Sequence, residues 1–151
     1  MDVRQDLRRG QITTTTCDIA YGGFTGFDIR QVVQQKNLRN RVSFVQFADT
    51  ANGSSFNQAT YYSYDIHGNV DTLLQDYGVT SQYPNLMNKN GNRFKKVVYN
   101  YDLISGKVNK VSYQPGWSDQ MYHKYSYDAE NRLICVHTSF DGRECACKDY
   151  D

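Results

Sequence analysis

The sequence predicts an all-β fold: a meander of antiparallel hairpins, with one short helix near residues 28–37. Three observations lead there. Tyrosine is abundant, at 13 of 151 residues, and 11 of the 13 fall between Tyr61 and Tyr127. Tyrosine and β-branched residues favour half-buried strands. Apolar residues recur with a two-residue period in short runs bounded by turn residues, the pattern of successive hairpins. Finally, Tyr-x-Tyr-Asp occurs three times, beginning at Tyr62, Tyr99 and Tyr125, and each copy is followed by a glycine or asparagine within four residues of its aspartate.

The first ten residues, MDVRQDLRRG, carry charges throughout and have no apolar core segment, so they do not read as a signal peptide. In DIRQVVQQKN, residues 28–37, Ile29, Val32 and Val33 fall at helical spacing and Asp28 can cap the start. RVSFVQF (41–47) alternates through Val42, Phe44 or Val45, and Phe47. TYYSYD (60–65) places Tyr62 and Tyr64 on one face, and NVDTLLQDY (69–77) is β-prone after its turn. FKKVVYNYD (94–102) places Val97, Tyr99 and Tyr101 on one face. The runs 107–114, 120–128 and 132–139 continue the pattern, leaving loops at 48–59, 78–93 and 115–119.

The turns explain the repeat. In Asp65-Ile66-His67-Gly68 the aspartate takes the first turn position, where its carboxylate can accept from backbone N–H groups just ahead, and Gly68 takes the left-handed position cheaply. A type I turn followed by such a residue closes a hairpin with a bulge. Asp128 to Asn131 follows the same plan, since asparagine tolerates positive φ, and Asp102 to Gly106 is one residue longer. The paired tyrosines point the same way and are expected to pack on the equivalent rings of neighbouring strands.

These units resemble RHS repeats, also called YD repeats, whose pattern is Tyr-x-Tyr-Asp-x-x-Gly-Arg-Leu-x-x-Val. Tyr62, Tyr64, Asp65, Gly68 and Val70 match it, with Asn69 in the arginine place. Tyr99, Tyr101, Asp102, Gly106, Lys107, Val108 and Val111 match with one insertion, and Tyr125, Tyr127, Asp128, Asn131, Arg132, Leu133 and Val136 match with asparagine for glycine. The match covers about residues 60–140. It divides the chain into an N-terminal spacer (1–50), YD-repeat hairpins (51–140) and a tail or the start of a next strand (141–151). The resemblance implies part of a spiral sheet. In long bacterial relatives of this kind the hairpins form a hollow shell around a C-terminal toxin domain. The expected partners are therefore the rest of such a shell and an enclosed toxin, and the expected location is secreted or cell surface. The chain is too short to close a shell and lacks the Pro- and Asp-rich motif that usually ends one, so it reads as a fragment. Cut strand edges invite self-association.

The remaining features narrow the function. A net charge of +1 lacks the basic footprint of a nucleic-acid binder, and no apolar run is long enough to span a membrane as a helix. His67, His123 and His137 have no nucleophile partner that spacing identifies. One aspartate per turn does not make a calcium site. The expectation is a non-enzymatic protein without a cofactor. An alternative is an extracellular glycan- or receptor-binding β module, with Trp117, in the loop after Pro115-Gly116, as its binding aromatic; the other reading of Trp117 is a ring folded over the sheet edge. Asp141-Gly142 signals a further hairpin, which would set Cys135 opposite Cys147 and His137 opposite Cys145. A Cys135–Cys147 disulfide, a Cys₃His zinc site and free thiols are the three readings of that set, with Cys17 left unpaired.

Overall fold

The computed structural model describes residues 11–22, 29–48, 56–78 and 93–142. Over these residues it is all-β: eight strands form one open sheet, each hydrogen-bonded to the next in chain order. They are β1 (Ile12–Cys17), β2 (Val42–Ala48), β3 (Gln58–Tyr64), β4 (Val70–Asp76), β5 (Phe94–Tyr101), β6 (Val108–Tyr113), β7 (Met121–Tyr127) and β8 (Leu133–Ser139). Every pairing is antiparallel. Seven of the strands lie in the runs whose alternation predicts them. β1 was not expected: ITTTTC has no apolar alternation, and five of its six residues are exposed. Its β-branched threonines suit an edge strand, where neither face needs to be apolar.

The predicted helix is reduced to a single 3₁₀ turn, Ile29–Gln31; its proposed cap, Asp28, lies outside the described residues. The apolar spacing is real but serves one turn, in which Ile29 and Val33 are 3% and 2% exposed against Ala59, Tyr61 and Leu74. Beyond Val33 the polar groups bond the sheet instead of a helix. Gln35 Nε2 donates to the carbonyls of Ser43 (2.6 Å) and Tyr62 (3.0 Å). Lys36 N donates to Ser63 Oγ, and Asn37 Nδ2 to the Tyr64 carbonyl. These bonds compete with an i to i−4 ladder and prevail because they also anchor a buried layer.

One face of the sheet therefore carries the core. Phe44 is opposite Tyr61, Tyr61 opposite Leu74, and Leu74 opposite Lys96, so these side chains share that face. Val45 and Phe47 alternate onto the other face, which resolves the ambiguity in that run. Tyr61 is fully buried, and Tyr21 packs edge-on against it and against Phe44, with centroids 5.1 and 5.2 Å away. Lys96 Nζ donates to the Val32 carbonyl across the layer.

The stretch read as a spacer contains a further copy of the hairpin. Asp18 N donates to the Arg41 carbonyl at 3.1 Å, as Asp65 N does to Asn69, Asp102 N to Lys107 and Asp128 N to Arg132. Asn40 has φ +57°, like Gly68 at +97°, Gly106 at +71° and Asn131 at +70°. Its N–H donates to Asp18 Oδ1, as that of Gly68 does to Asp65. A register shift follows at Thr16/Cys17, matching those at Ser63/Tyr64, Asn100/Tyr101 and Ser126/Tyr127. β1 and β2 thus form a hairpin of the same plan, with a long insertion between Asp18 and Asn40 and with Cys17 in the second tyrosine place.

Candidate functional site

Three positions of the repeated unit have an observed task in every Tyr-x-Tyr-Asp copy: the aspartate, the left-handed glycine or asparagine, and the second tyrosine. The aspartate organises the turn. Asp65 Oδ1 accepts from the N–H groups of His67 (2.8 Å), Gly68 (2.7 Å) and Asn69 (2.9 Å), and Oδ2 accepts from Asn69 Nδ2. Asp102 Oδ1 accepts from Ile104 N, Ser105 N and Ser105 Oγ. Asp128 accepts from Arg132 N through Oδ1 and from Arg132 Nε through Oδ2. Gly68, Gly106 and Asn131 take the left-handed position, and the extra residue before Gly106 appears as a bond from Gly106 N to the Asp102 carbonyl four residues back.

These bonds favour the ionised carboxylates. Burial alone would raise the Asp65 carboxyl, and the bonds from Asn69, Gly68 and His67 outweigh it and hold it low. Asp102 is lowered by the Ser105 N–H, the Ser105 hydroxyl and the Ile104 N–H. Asp128 is lowered chiefly by the Arg132 N–H, against the opposing effect of desolvation, with help from the Arg132 guanidinium. A carboxylate whose folded pKa is depressed stabilises the fold above its unfolded value and loses that contribution as the pH falls through the folded one. Stability is therefore expected to be flat in these groups above their ordinary value of 3.8 and to fall below it. Denaturant midpoints between pH 5 and pH 2 check this. Asp65→Ala should cost about 1 kcal/mol at neutral pH, and replacing all three aspartates by asparagine should flatten the acid limb. An equally steep acid limb in the triple variant would assign it to other groups.

The second tyrosine of each unit joins it to the unit before. Tyr64 Oη donates to the Val42 carbonyl (2.8 Å), Tyr101 Oη to that of Val70 (3.1 Å) and Tyr127 Oη to that of Val108 (2.9 Å). Each acceptor is the first residue of the preceding hairpin's return strand, beyond the last paired residues between the two hairpins. Burial pushes the Tyr64 and Tyr101 hydroxyls up, with Tyr62 and Tyr99 respectively adding to it, so both remain protonated donors at neutral pH. The residue just before two of the three acceptors is a cation that lies over the ring of the donor tyrosine. The Arg41 guanidinium lies 5.4 Å from the Tyr64 ring centre, and Lys107 Nζ lies 4.8 Å from that of Tyr127, within cation–π range. Asn69 occupies the equivalent place before Tyr101 and brings no charge. Tyr64→Phe is expected to lower the unfolding free energy, read from denaturant midpoints, by about 1–2 kcal/mol, because it takes the hydroxyl donor from the Val42 carbonyl. Tyr62→Phe, which touches no such bond, is the control, and equal effects would remove the latch.

The expected stacking of equivalent tyrosines on neighbouring strands is corrected. A return strand always lies between two outgoing strands, which sets equivalent rings roughly 9.5 Å apart. Tyr62 is opposite Leu73, Tyr99 opposite Val111, and Tyr125 opposite Val136. Ring contacts form within a strand or with other rings: Tyr99 stacks on Tyr101 at 6.2 Å, and His123 packs edge-on against Tyr113 and Tyr125. Leu133 begins β8, in the place of Val42, Val70 and Val108, and is 52% exposed.

The other candidates are placed as follows. Trp117 is 59% exposed in a tight turn, its N–H donating to the Gln114 carbonyl and its carbonyl accepting from Gln120 N. His67 lies in the Asp65 turn. Cys135 and His137 share a face of β8, with Sγ 3.4 Å from Nε2. Cys135 is disulfide-bonded and Cys17 is a free, exposed thiol. Cys145 and Cys147, the other half of the predicted hairpin, lie outside the described residues, so the Cys135–Cys147 pairing does as well. Among the described residues no His, Cys, Asp and Glu set could hold a metal ion, and no helix is long and apolar enough to cross a membrane. A buried pair was not foreseen: Asp76, 1% exposed, accepts from Arg93 Nε (2.6 Å) and Nη2 (2.7 Å) and from Gly78 N. Nothing in the sequence pairs them: Asp76 falls in the β-prone run 69–77 and Arg93 at the far end of the loop 78–93. Compared with known proteins, the chain matches no family model, no curated protein and no solved structure.

Proposed function

We propose that this chain is a non-enzymatic section of an RHS- or YD-repeat scaffold, which in longer form encloses or displays a C-terminal toxin domain outside the cell. The supporting observation is the tyrosine latch. Each hairpin is tied to its predecessor by the same hydroxyl-to-carbonyl bond, so the unit is additive and the sheet can be extended one hairpin at a time. Leu133 of β8 stands where a following tyrosine would find its acceptor. Leu133, Ile134 and Val136 are 52%, 65% and 46% exposed, and an aliphatic strand of this kind is suited to covering by a further hairpin. The partners on this reading are more of the same repeat and the enclosed domain.

Two measurements test it. In sedimentation, the isolated chain should self-associate in a concentration-dependent way through its strand edges; a strict monomer at all concentrations would mean that the edges are closed. The reading frame on either side of this segment should encode further Tyr-x-Tyr-Asp units and then an unrelated domain. A frame carrying neither would overturn the scaffold reading. Exposure of Trp117 favours a second reading, a glycan- or receptor-binding module, and specific glycan binding lost in Trp117→Ala would establish it.

A further inference from the structure

β8 ends the sheet among the described strands, and its outer edge follows the plan of edges that are already covered. On β2, β4 and β6 the residue after the left-handed turn position is Arg41, Asn69 and Lys107. The ladders to the next strand, continued in register, set Tyr64, Tyr101 and Tyr127 opposite these residues. Each hydroxyl then reaches the carbonyl one residue further on. On β8 the same two places hold Arg132 and Leu133. The Arg132 guanidinium is held by Asp128 and Glu130, and Leu133, Ile134 and Val136 are exposed. The occupant this edge fits is a strand with a tyrosine opposite Arg132.

The chain after β8 supplies one. Gly142 has φ +77°, and its N–H donates to Ser139 Oγ at 2.8 Å, as that of Gly68 does to Asp65 Oδ1 at 2.7 Å. Ser139 thus does in this turn what Asp65 does in its own. Phe140, Asp141 and Gly142 make a three-residue loop with its left-handed residue last, a type that reverses a strand into a hairpin. Such a loop sets Ser139 opposite Arg143. Continued without a shift, that register brings Cys147 opposite Cys135 and Tyr150 opposite Arg132. Tyr150 is followed by Asp151, as Tyr64, Tyr101 and Tyr127 are followed by aspartates. The cysteines give independent support. Cys135 is disulfide-bonded and Cys17 is free, so of the chain's four cysteines the partner of Cys135 is Cys145 or Cys147. The register selects Cys147, because directly opposed residues of an antiparallel pair have Cα atoms about 4.5–5.5 Å apart, within disulfide reach.

We propose that residues 143–151 cover the outer edge of β8 as the outgoing strand of a further repeat unit. A Cys135–Cys147 disulfide staples this strand, and Tyr150 latches it to the Leu133 carbonyl with Arg132 over the ring. The first tyrosine place falls to Lys148, a position that takes no part in the latch. Forming the staple removes one proton and one electron from each thiol, and a disulfide oxidant such as oxidised glutathione accepts them as it becomes two thiols. The inference rests on the repeat geometry of the reading above and is independent of any enclosed domain.

Disulfide mapping of the full chain is the test. The protein is equilibrated with oxidised glutathione, alkylated with iodoacetamide and digested with trypsin, which releases Cys145 and Cys147 together in residues 144–148. Fragmentation between them shows which one carries the alkyl group. Label on Cys17 and Cys145, with Cys147 joined to Cys135, is expected. A Cys135–Cys145 bond would overturn the register, and label on Cys135 would overturn the staple. A Cys135 bond between two chains would overturn the proposal by assigning the edge to a second copy. Hydrogen exchange of the amides of residues 133–139 reads the latch. Tyr150→Phe should speed it about fivefold, the fold-change of one lost hydrogen bond, and Tyr62→Phe should leave it unchanged. Equal rates in Tyr150→Phe and the unsubstituted protein would overturn the latch. The reading frame around the segment bears on the scaffold and not on this strand, so the two can fail separately.

Discussion

Tyr61→Ala is expected to destabilise the protein by about 3–5 kcal/mol, the range for deleting a large buried ring. Tyr61 has no exposed surface and stands at the centre of the cluster with Ile29, Val33, Ala59 and Leu74. Its ring is contacted by Tyr21 at 5.1 Å and Phe44 at 5.8 Å, so its removal leaves a cavity between the sheet and the 29–37 segment together. Against a total stability of roughly 5–15 kcal/mol, this loss should leave the chain close to unfolded at 37 °C. Tyr61→Phe should behave quite differently. Among the described residues the buried Tyr61 hydroxyl makes no well-formed hydrogen bond, Tyr21 offering only a weak contact, and desolvation, followed by the nearby Asp76 charge, pushes its pKa far above the ordinary phenol range. Removing it relieves an unsatisfied polar atom, so the midpoint should stay level or rise. Urea melts of both variants check the pair. A loss in Tyr61→Phe approaching that of the alanine variant would mean that the hydroxyl holds a bond in solution.

Asp76→Ala is expected to cost about 3 kcal/mol, near the lower bound for breaking a buried ion pair from one side. The carboxylate is inaccessible, while the Arg93 side chain retains 26% of its surface, which softens the cost of leaving the guanidinium behind. Hydrogen bonding to Asp76 raises the Arg93 pKa despite the opposing effect of burial; without that partner the guanidinium still stays charged, because arginine does not deprotonate in proteins. Asp76 also accepts from Gly78 N at 2.9 Å. Gly78 has φ +67°, and a Cβ there would meet the Asn57 carbonyl oxygen at 2.7 Å. One carboxylate therefore closes both ends of the loop between β4 and β5. Asp76→Ala/Arg93→Ala should recover part of the loss, because the second change removes the stranded charge. A double variant no more stable than Asp76→Ala would show that the carboxylate acts through Gly78 alone.

The hairpins were legible because their determinants are local. The aspartate, the left-handed glycine or asparagine and the two-residue period lie within ten residues of one another, and the register follows from the turn. That sufficed for seven strands and three turns. β1 escaped because an edge strand of threonines needs no apolar face. Its turn partners, Asp18 and Asn40, escaped because the insertion between them separates a signal that is recognised only when its parts are adjacent. The same reasoning overestimated the helix, since Ile29, Val32 and Val33 do fall at helical spacing, while the decisive bonds of Gln35, Lys36 and Asn37 are to strands far along the chain.

By itself, the sequence determined the fold class, the order of strands and the turn chemistry, since in a meander each strand pairs with its neighbour in the chain and short loops leave few alternatives. Only the tertiary structure decided what the tyrosines do. Their hydroxyls bond carbonyls of the preceding hairpin, from Tyr64 to Val42, Tyr101 to Val70 and Tyr127 to Val108. Those partners lie 19 to 31 residues away, and a donor's distant acceptor is set by register summed over two hairpins and a bulge. The Asp76–Arg93 pair was hidden for the same reason: it needs strands brought side by side before the charges meet.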